Sequence, residues 1–256
     1  MIVFPCADDT LIGTLDEAAG STGLLIVSGG NEVRAGAHRG MAELAAAIAE
    51  AGFPVFRFDR RGVGDSSGEN GGYESARDDL IAAITAFRAA APRIERLIGF
   101  GNCDGASALL LHAPERFDRL LLANPWTIEA ASDLPPPAAI RARYAERLRD
   151  PASWARLLKG KVDLGKLASG LGRLAKARSQ QLSKLEAKLF AALGAHLDAR
   201  LILADGDATA QAFADAARRA GWRGGVTRIA TASHSFARPE DKAALRDWML
   251  GGLAPS

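Results

Sequence analysis

Gly99-Phe100-Gly101-Asn102-Cys103-Asp104-Gly105 places a thiol between two glycines, directly after the apolar run 97–100. That spacing belongs to a nucleophile elbow, a sharp turn from strand into helix whose reactive residue sits in a strained backbone conformation. Side chains at the flanking positions would strike the adjoining strand and helix, and glycine removes them. Both flanks that the turn requires are present, an apolar strand before it and a helix rich in small residues over 106–112. A lone cysteine also suits the role of a small buried hydrophobe, so it is the flanks that favour a nucleophile.

Outward from this turn the chain alternates short apolar runs with helical segments. Residues 24–28, 54–58, 96–100, 119–123, 200–204 and 226–230 read as strands. Residues 41–51, 73–90, 208–220 and 239–250 read as helices, the last with Pro239 at its start. The alternation predicts an α/β fold in which a mostly parallel central sheet is flanked by helices, with chemistry at the carboxyl ends of the strands. The first residues, to about Asp16, are expected as an antiparallel hairpin at the sheet edge.

The pattern breaks over residues 125–196, after Asn124-Pro125-Trp126, in a stretch that includes Pro135-Pro136-Pro137 and leucines at 164, 167, 171, 174, 182, 185, 189 and 193. The predicted organisation is therefore a core of 1–124 and 197–256 carrying a helical insertion, 125–196. Between residues 126 and 195 there are 13 Lys or Arg and 6 Asp or Glu, so this part is +7 and the remainder close to −5. The leucines can pack on the main body while the bases are solvated. Alternatively the insertion is a lid that draws an anionic substrate toward the strand ends, or a basic face for peripheral contact with acidic membrane lipids.

A length of 256 residues suits one sizeable core. The formal net charge of +2, without basic runs interleaved with aromatics, argues against nucleic acid as a partner. The opening residues show neither a basic stretch ahead of an apolar segment nor a cleavage signal, and no apolar stretch approaches the roughly 18 to 20 residues of a membrane span. These features predict a cytoplasmic location. In a reducing compartment Cys6 and Cys103 are expected as free thiols, Cys6 being structural.

A thiol nucleophile needs a base, and the histidines are His38, His112, His196 and His234. His234 lies in Thr231-Ala232-Ser233-His234-Ser235-Phe236, a polar loop between the last predicted strand and the last helix, hence at the carboxyl edge of the sheet. His112 falls in the helix after the elbow, pointing elsewhere. A carboxylate from another strand end must hold the imidazole in one tautomer. Asp207, in Asp205-Gly206-Asp207, is preferred over Asp205 because it stands further into the loop, where it can turn toward His234. The order Cys103, Asp207, His234 is nucleophile, acid, base. Candidate oxyanion donors are the backbone amides of Asp104, at the helix start, and of Gly30 and Asn31 in the loop after the first central strand. Arg34, His38 and Arg39 form a basic cluster suited either to an anionic substrate or to ion pairing, and Trp126 is a further candidate for substrate contact.

Together these residues resemble the α/β-hydrolase superfamily over nearly the whole chain outside the insertion, and Asp59-Arg60-Arg61-Gly62-Val63-Gly64-Asp65-Ser66-Ser67-Gly68 looks like its loop after the fourth strand. Within it, Gly-Asn-Cys-Asp-Gly-Ala-Ser at 101–107, Gly-Ala-His-Arg at 36–39 and Gly29-Gly30-Asn31-Glu32-Val33-Arg34 resemble the exosortase A system-associated hydrolase 1 group. The resemblance implies a cytosolic hydrolase connected with bacterial exopolysaccharide production, using no cofactor. Cysteine replaces the commoner serine, as in dienelactone hydrolases, which favours esters, thioesters or lactones over amides. Two other outcomes are compatible with the same motifs: acyl transfer to a sugar hydroxyl, and a noncatalytic protein that docks through the basic insertion.

Overall fold

The computed structural model describes residues 1–112, 116–129, 182–195 and 198–254. Eight strands form one sheet: β1 (Ile2–Cys6), β2 (Asp9–Asp16), β3 (Thr22–Val27), β4 (Val55–Phe58), β5 (Arg96–Asn102), β6 (Arg119–Ala123), β7 (Ala199–Ala204) and β8 (Val226–Ile229), in the order β1-β2-β4-β3-β5-β6-β7-β8. β1 and β2 are the expected antiparallel edge hairpin, and the strands from β4 through β3 to β8 are parallel. The chain leaves β3 for β4 on one side and returns to β5 on the other. That reversal opens a crevice at the carboxyl ends of β3 and β5, where ligands bind in open α/β sheets.

The apolar strands are buried on both faces because helices cover both. Leu24 and Ile26 point to one core with Ile98, Phe100, Met41 and Ile48, while Leu25 and Val27 point to the other with Phe56, Phe58, Leu109 and Phe213. Helix α1 (Gly40–Glu50) turns Met41, Leu44, Ala45 and Ile48 inward, the spacing of a single helical face. The other helices are α2 (Ala76–Ala90), α3 (Asp104–His112), α4 (Lys184–Ala195), α5 (Ala208–Arg219) and α6 (Pro239–Leu253).

Two boundaries differ from those read in the sequence. Residues 73–75 form a 3-10 turn, not the first turn of α2, because the Ala76 amide reaches back only to the Tyr73 carbonyl. His112 Nε2 donates to that carbonyl at 2.6 Å, which turns this histidine away from the sheet edge. Helix α6 runs through Gly251 and Gly252 to Leu253, although two glycines usually stop a helix. Here Leu253 is fully buried, and the buried Arg119 guanidinium holds the Gly252 carbonyl at 2.5 Å and Asp198 at 2.7 Å.

Of the predicted insertion, residues 130–181 and 196 lie outside the described residues, and with them the leucines at 164, 167, 171 and 174 and His196, so the lid reading falls there. Its described end, α4, packs Leu185, Leu189 and Leu193 into the core. Ser183 and Glu186 form a reciprocal capping box at the start of α4, with bonds of 3.1 and 2.9 Å. Glu186 also pairs with Arg219 of α5 at 2.5 Å. No helix among the described residues is long and apolar enough to cross a membrane.

Candidate active site

Cys103 stands between β5 and α3 with φ 58°, the left-handed conformation of a strained elbow. The flanking glycines are there for lack of room. A Cβ on Gly101 would lie 2.5 Å from the Ala106 nitrogen, and one on Gly105 would lie 2.4 Å from the Val27 carbonyl oxygen. The Cys103 amide bonds the Ala123 carbonyl at 3.0 Å, so the turn is fastened to the neighbouring strand. Cys103 is a free, partly exposed thiol, and Cys6 is free and buried. Burial, with Asp79 beside it, pushes the Cys6 thiol up to about 11, as befits an inert structural cysteine.

The loop after β8 carries His234 to the elbow. Phe236, left-handed and 1% exposed, anchors it in the core, and Thr231 bonds the buried Asp241 at 2.6 Å. Asp207 follows β7 as the N-cap of α5. Its Oδ2 accepts from the Ala210 amide at 2.9 Å and lies 3.0 Å from His234 Nδ1. Asp205 points outward instead, to Arg228 at 2.6 Å. Burial works to lower the imidazole pKa, but hydrogen bonds to Asp207 and to Cys103, with their charges, outweigh it and push His234 up to about 10. Its side chain is still 37% exposed, open to an approaching substrate. The structure thus brings Cys103, His234 and Asp207 together from three strand ends.

The remaining candidates divide. The amide of Asp104 opens α3, where helix N–H groups lack intrahelical partners. The expectation for Gly30 is corrected, because its amide donates to the Asp104 carboxylate and is not open to a developing oxyanion. Arg60 backs this contact, reaching the Gly30 carbonyl at 2.6 Å and Asp104 at 3.2 Å, since a shielded carboxylate needs donors and a counter-charge. The amides of Asp104 and Asn31 remain as oxyanion candidates.

Arg34 is likewise corrected as a substrate contact. Its guanidinium pairs with the fully buried Asp59, bonds Asp65 at 2.9 Å and Thr14 at 3.0 Å, and is thereby part of the framework. His38 and Arg39 are exposed with left-handed backbone ahead of α1, and the carboxyl of Glu43 on that helix is lowered mainly by its hydrogen bond and charge pairing with Lys242, with a smaller contribution from Arg39. Trp126 is held against the elbow, its amide on the Cys103 carbonyl at 3.1 Å and its indole on the Ile128 carbonyl at 2.6 Å.

Several polar side chains around the site were not singled out from sequence. Glu32, half-buried, has a carboxyl raised by burial and lies close enough to His234 to feel its charge. Asp104, Arg60, Asn102 and Asn124 complete the surroundings, and their positions at or just past strand ends were the signal available. Among the described residues no group of three His, Cys, Asp or Glu could hold a metal ion.

The family model described as serine aminopeptidase, S33, matches residues 23–197. Among solved structures the chain is similar to an α/β serine hydrolase without lid from Xanthomonas campestris, at 18% identity and TM-score 0.60, with 98% of this chain and 92% of that one covered. It is similar to a Butyrivibrio proteoclasticus protein bound to ferulic acid, at 14% identity and TM-score 0.64 over 100% of both chains. A thermophilic esterase from Thermogutta terrifontis shares 18% identity and a TM-score of 0.56 over 99% of both chains. No curated protein matches the sequence.

Proposed function

The chain belongs to the serine aminopeptidase, S33, family of α/β hydrolases, and on that premise we propose that it is an acyl hydrolase in which the thiol of Cys103 replaces the family's serine and acts on esters or thioesters. The observation that carries the proposal is the placement of Cys103 at the elbow beside an imidazole that feels its charge and pairs with Asp207 at 3.0 Å.

In this reading the sulfur attacks the acyl carbon as a thiolate beside the His234 imidazolium, forming an S–C bond. The carbonyl oxygen takes up the negative charge and is met by the Asp104 amide at the positive end of α3. As the tetrahedral centre collapses, the bond to the leaving alkoxide or thiolate breaks, and the imidazolium supplies its proton. Acylation removes the sulfur charge and the hydrogen bond that raise the His234 pKa. Having given its proton to the leaving group, the imidazole is now neutral and takes a proton from water, whose oxygen attacks the thioester; the S–C bond breaks, the acid leaves and Cys103 is restored. Asp207 holds the imidazole in the required tautomer throughout.

The family name refers to amide cleavage by serine. A thiolate reacts best with activated acyl groups, which is why the proposal places the substrate among esters and thioesters. A connection with exopolysaccharide metabolism rests on the motifs at 101–107 and 36–39. The test is a panel of p-nitrophenyl esters and acyl thioesters given to the wild type and to Cys103→Ala, with intact-mass detection of the acyl adduct. Turnover and adduct in the wild type, both absent in the variant, are expected. Equal turnover by the two proteins refutes the thiol as nucleophile.

A further inference from the structure

We propose that Asn102 and Asn124 are positioning residues that set the His234 imidazole against the Cys103 sulfur by gripping the backbone carbonyl of His234 itself. The proposal deepens the Cys-His-Asp reading and rests on it.

Asn124 follows β6 directly, is fully buried, and has φ 43°, a left-handed conformation that asparagine tolerates better than most residues. Its Oδ1 accepts from the Ala204 amide at 2.9 Å, at the end of the strand that leads to Asp207. A backbone N–H can meet only the oxygen of the side-chain amide, so Nδ2 must face the other way. There it donates to Asn102 Oδ1 at 3.1 Å and to the His234 carbonyl at 3.3 Å. Asn102, the residue before Cys103 and 9% exposed, donates its own Nδ2 to the same carbonyl at 3.1 Å. Two amides therefore converge on one carbonyl, and the pair is fastened to the end of β5, which carries the nucleophile, and to the end of β7, which carries the acid.

The chemistry requires asparagine at both places. Asn124 needs an acceptor for Ala204 and a donor for Asn102 and His234, which a carboxylate, an aliphatic side chain or a hydroxyl cannot supply in that arrangement. An aspartate at 124 would set a negative oxygen against the His234 carbonyl and Asn102 Oδ1. A purely structural cross-link would serve only to join strands. The observation against so limited a role is that each of the two side-chain amides donates to the carbonyl of the residue bearing the base.

The test reads the geometry of the pair without a natural substrate. Alkylation of Cys103 by iodoacetamide, followed by intact mass from about pH 5 to about pH 10, reports the thiolate that the imidazolium sustains. The groups facing that imidazolium are Cys103 from the elbow, Asp207 from the loop after β7 and Glu32 from the loop after β3. Asn102→Ala removes one of the two grips while leaving the Asn124 bond to Ala204, and Asn124→Asp is nearly isosteric. The expected result is a 10- to 100-fold slower alkylation at about pH 6. The turnover number should fall on a p-nitrophenyl ester while KM changes little.

His234→Ala serves as the reference. If it alters the profile while Asn102→Ala, still folded, follows the wild type, the positioning role is overturned and the triad stands. If His234→Ala itself leaves the profile unchanged, both are overturned.

Discussion

Replacing Asp207 separates two duties performed by one carboxylate oxygen, which caps α5 through Ala210 at 2.9 Å and faces His234 Nδ1 at 3.0 Å. Asp207→Ala removes both. Loss of a well-formed N-cap costs about 1 kcal/mol, and loss of the pair with an imidazole that is 37% exposed adds less than about 1 kcal/mol after solvent screening. For a chain of this size about 1 kcal/mol moves Tm by roughly 2–4 °C, so the alanine variant should melt roughly 3–7 °C lower. Asp207→Asn keeps the cap, since asparagine caps as well as aspartate, and loses only the charge, about 0.3–1 kcal/mol at a helix start. Its Tm should fall by no more than about 4 °C. Ester turnover should drop about 10²- to 10⁴-fold in Asp207→Ala, which leaves Nδ1 without an acceptor, and less in Asp207→Asn, whose oxygen still meets both Ala210 and Nδ1 but lacks the charge that stabilises the imidazolium. Asp205→Asn, which touches only the exposed pair with Arg228, is the control and should change neither quantity. Thermal melts followed by circular dichroism, with p-nitrophenyl ester hydrolysis on the same samples, provide the comparison. Wild-type turnover in Asp207→Asn would refute the assignment of the acid, and an unchanged Tm in Asp207→Ala would refute the cap.

The raised pKa of His234, about 10 against an ordinary 6.5, gives a stabilisation that is complete below about pH 6.5 and disappears as pH rises through about 10. The stability difference between wild type and His234→Gln, measured in urea across that range, should shrink upward; a difference that grows with pH contradicts the pairing. Gly105→Ala forces a Cβ to within 2.4 Å of the Val27 carbonyl oxygen, and should destabilise by more than about 2 kcal/mol or abolish soluble expression; a variant that melts with the wild type would show that the elbow is looser than described. Arg34→Ala leaves the buried Asp59 without its guanidinium and should cost about 3 kcal/mol, with KM nearly unchanged. A KM rise without loss of Tm would return Arg34 to the substrate site.

The parts of this molecule that were legible in sequence are those governed by local rules. The glycines at 101 and 105 announce the elbow because the constraint on each lies within a few residues or on an obligatory neighbouring strand. The alternation of apolar runs announces the sheet because burial on both faces demands continuous apolar strands. Asp207 was preferred to Asp205 on its reach into the loop, and the structure sets it beside the imidazole while Asp205 bonds Arg228. What sequence did not reveal depends on contacts between distant segments. Gly30 was a plausible oxyanion donor until Asp104, 74 residues away, was seen to occupy its amide. Arg34 looked like a substrate contact because Asp59 lies on another strand end. The grip of Asn102 on His234 spans 132 positions and leaves no local pattern.

Arg119 has a consequence for how the polypeptide tolerates being shortened. Its guanidinium is enclosed under the final turn and relies on the carbonyls of Gly252 and Ala254 as well as on Asp198. Trimming a handful of residues from that end would take away two carbonyl acceptors and the cover over a buried guanidinium, leaving it to Asp198 in a newly opened site, a lesion comparable to cutting into the middle of the protein. Tags and fusion partners belong beyond residue 254, and a stop codon three positions earlier should behave like a core mutation.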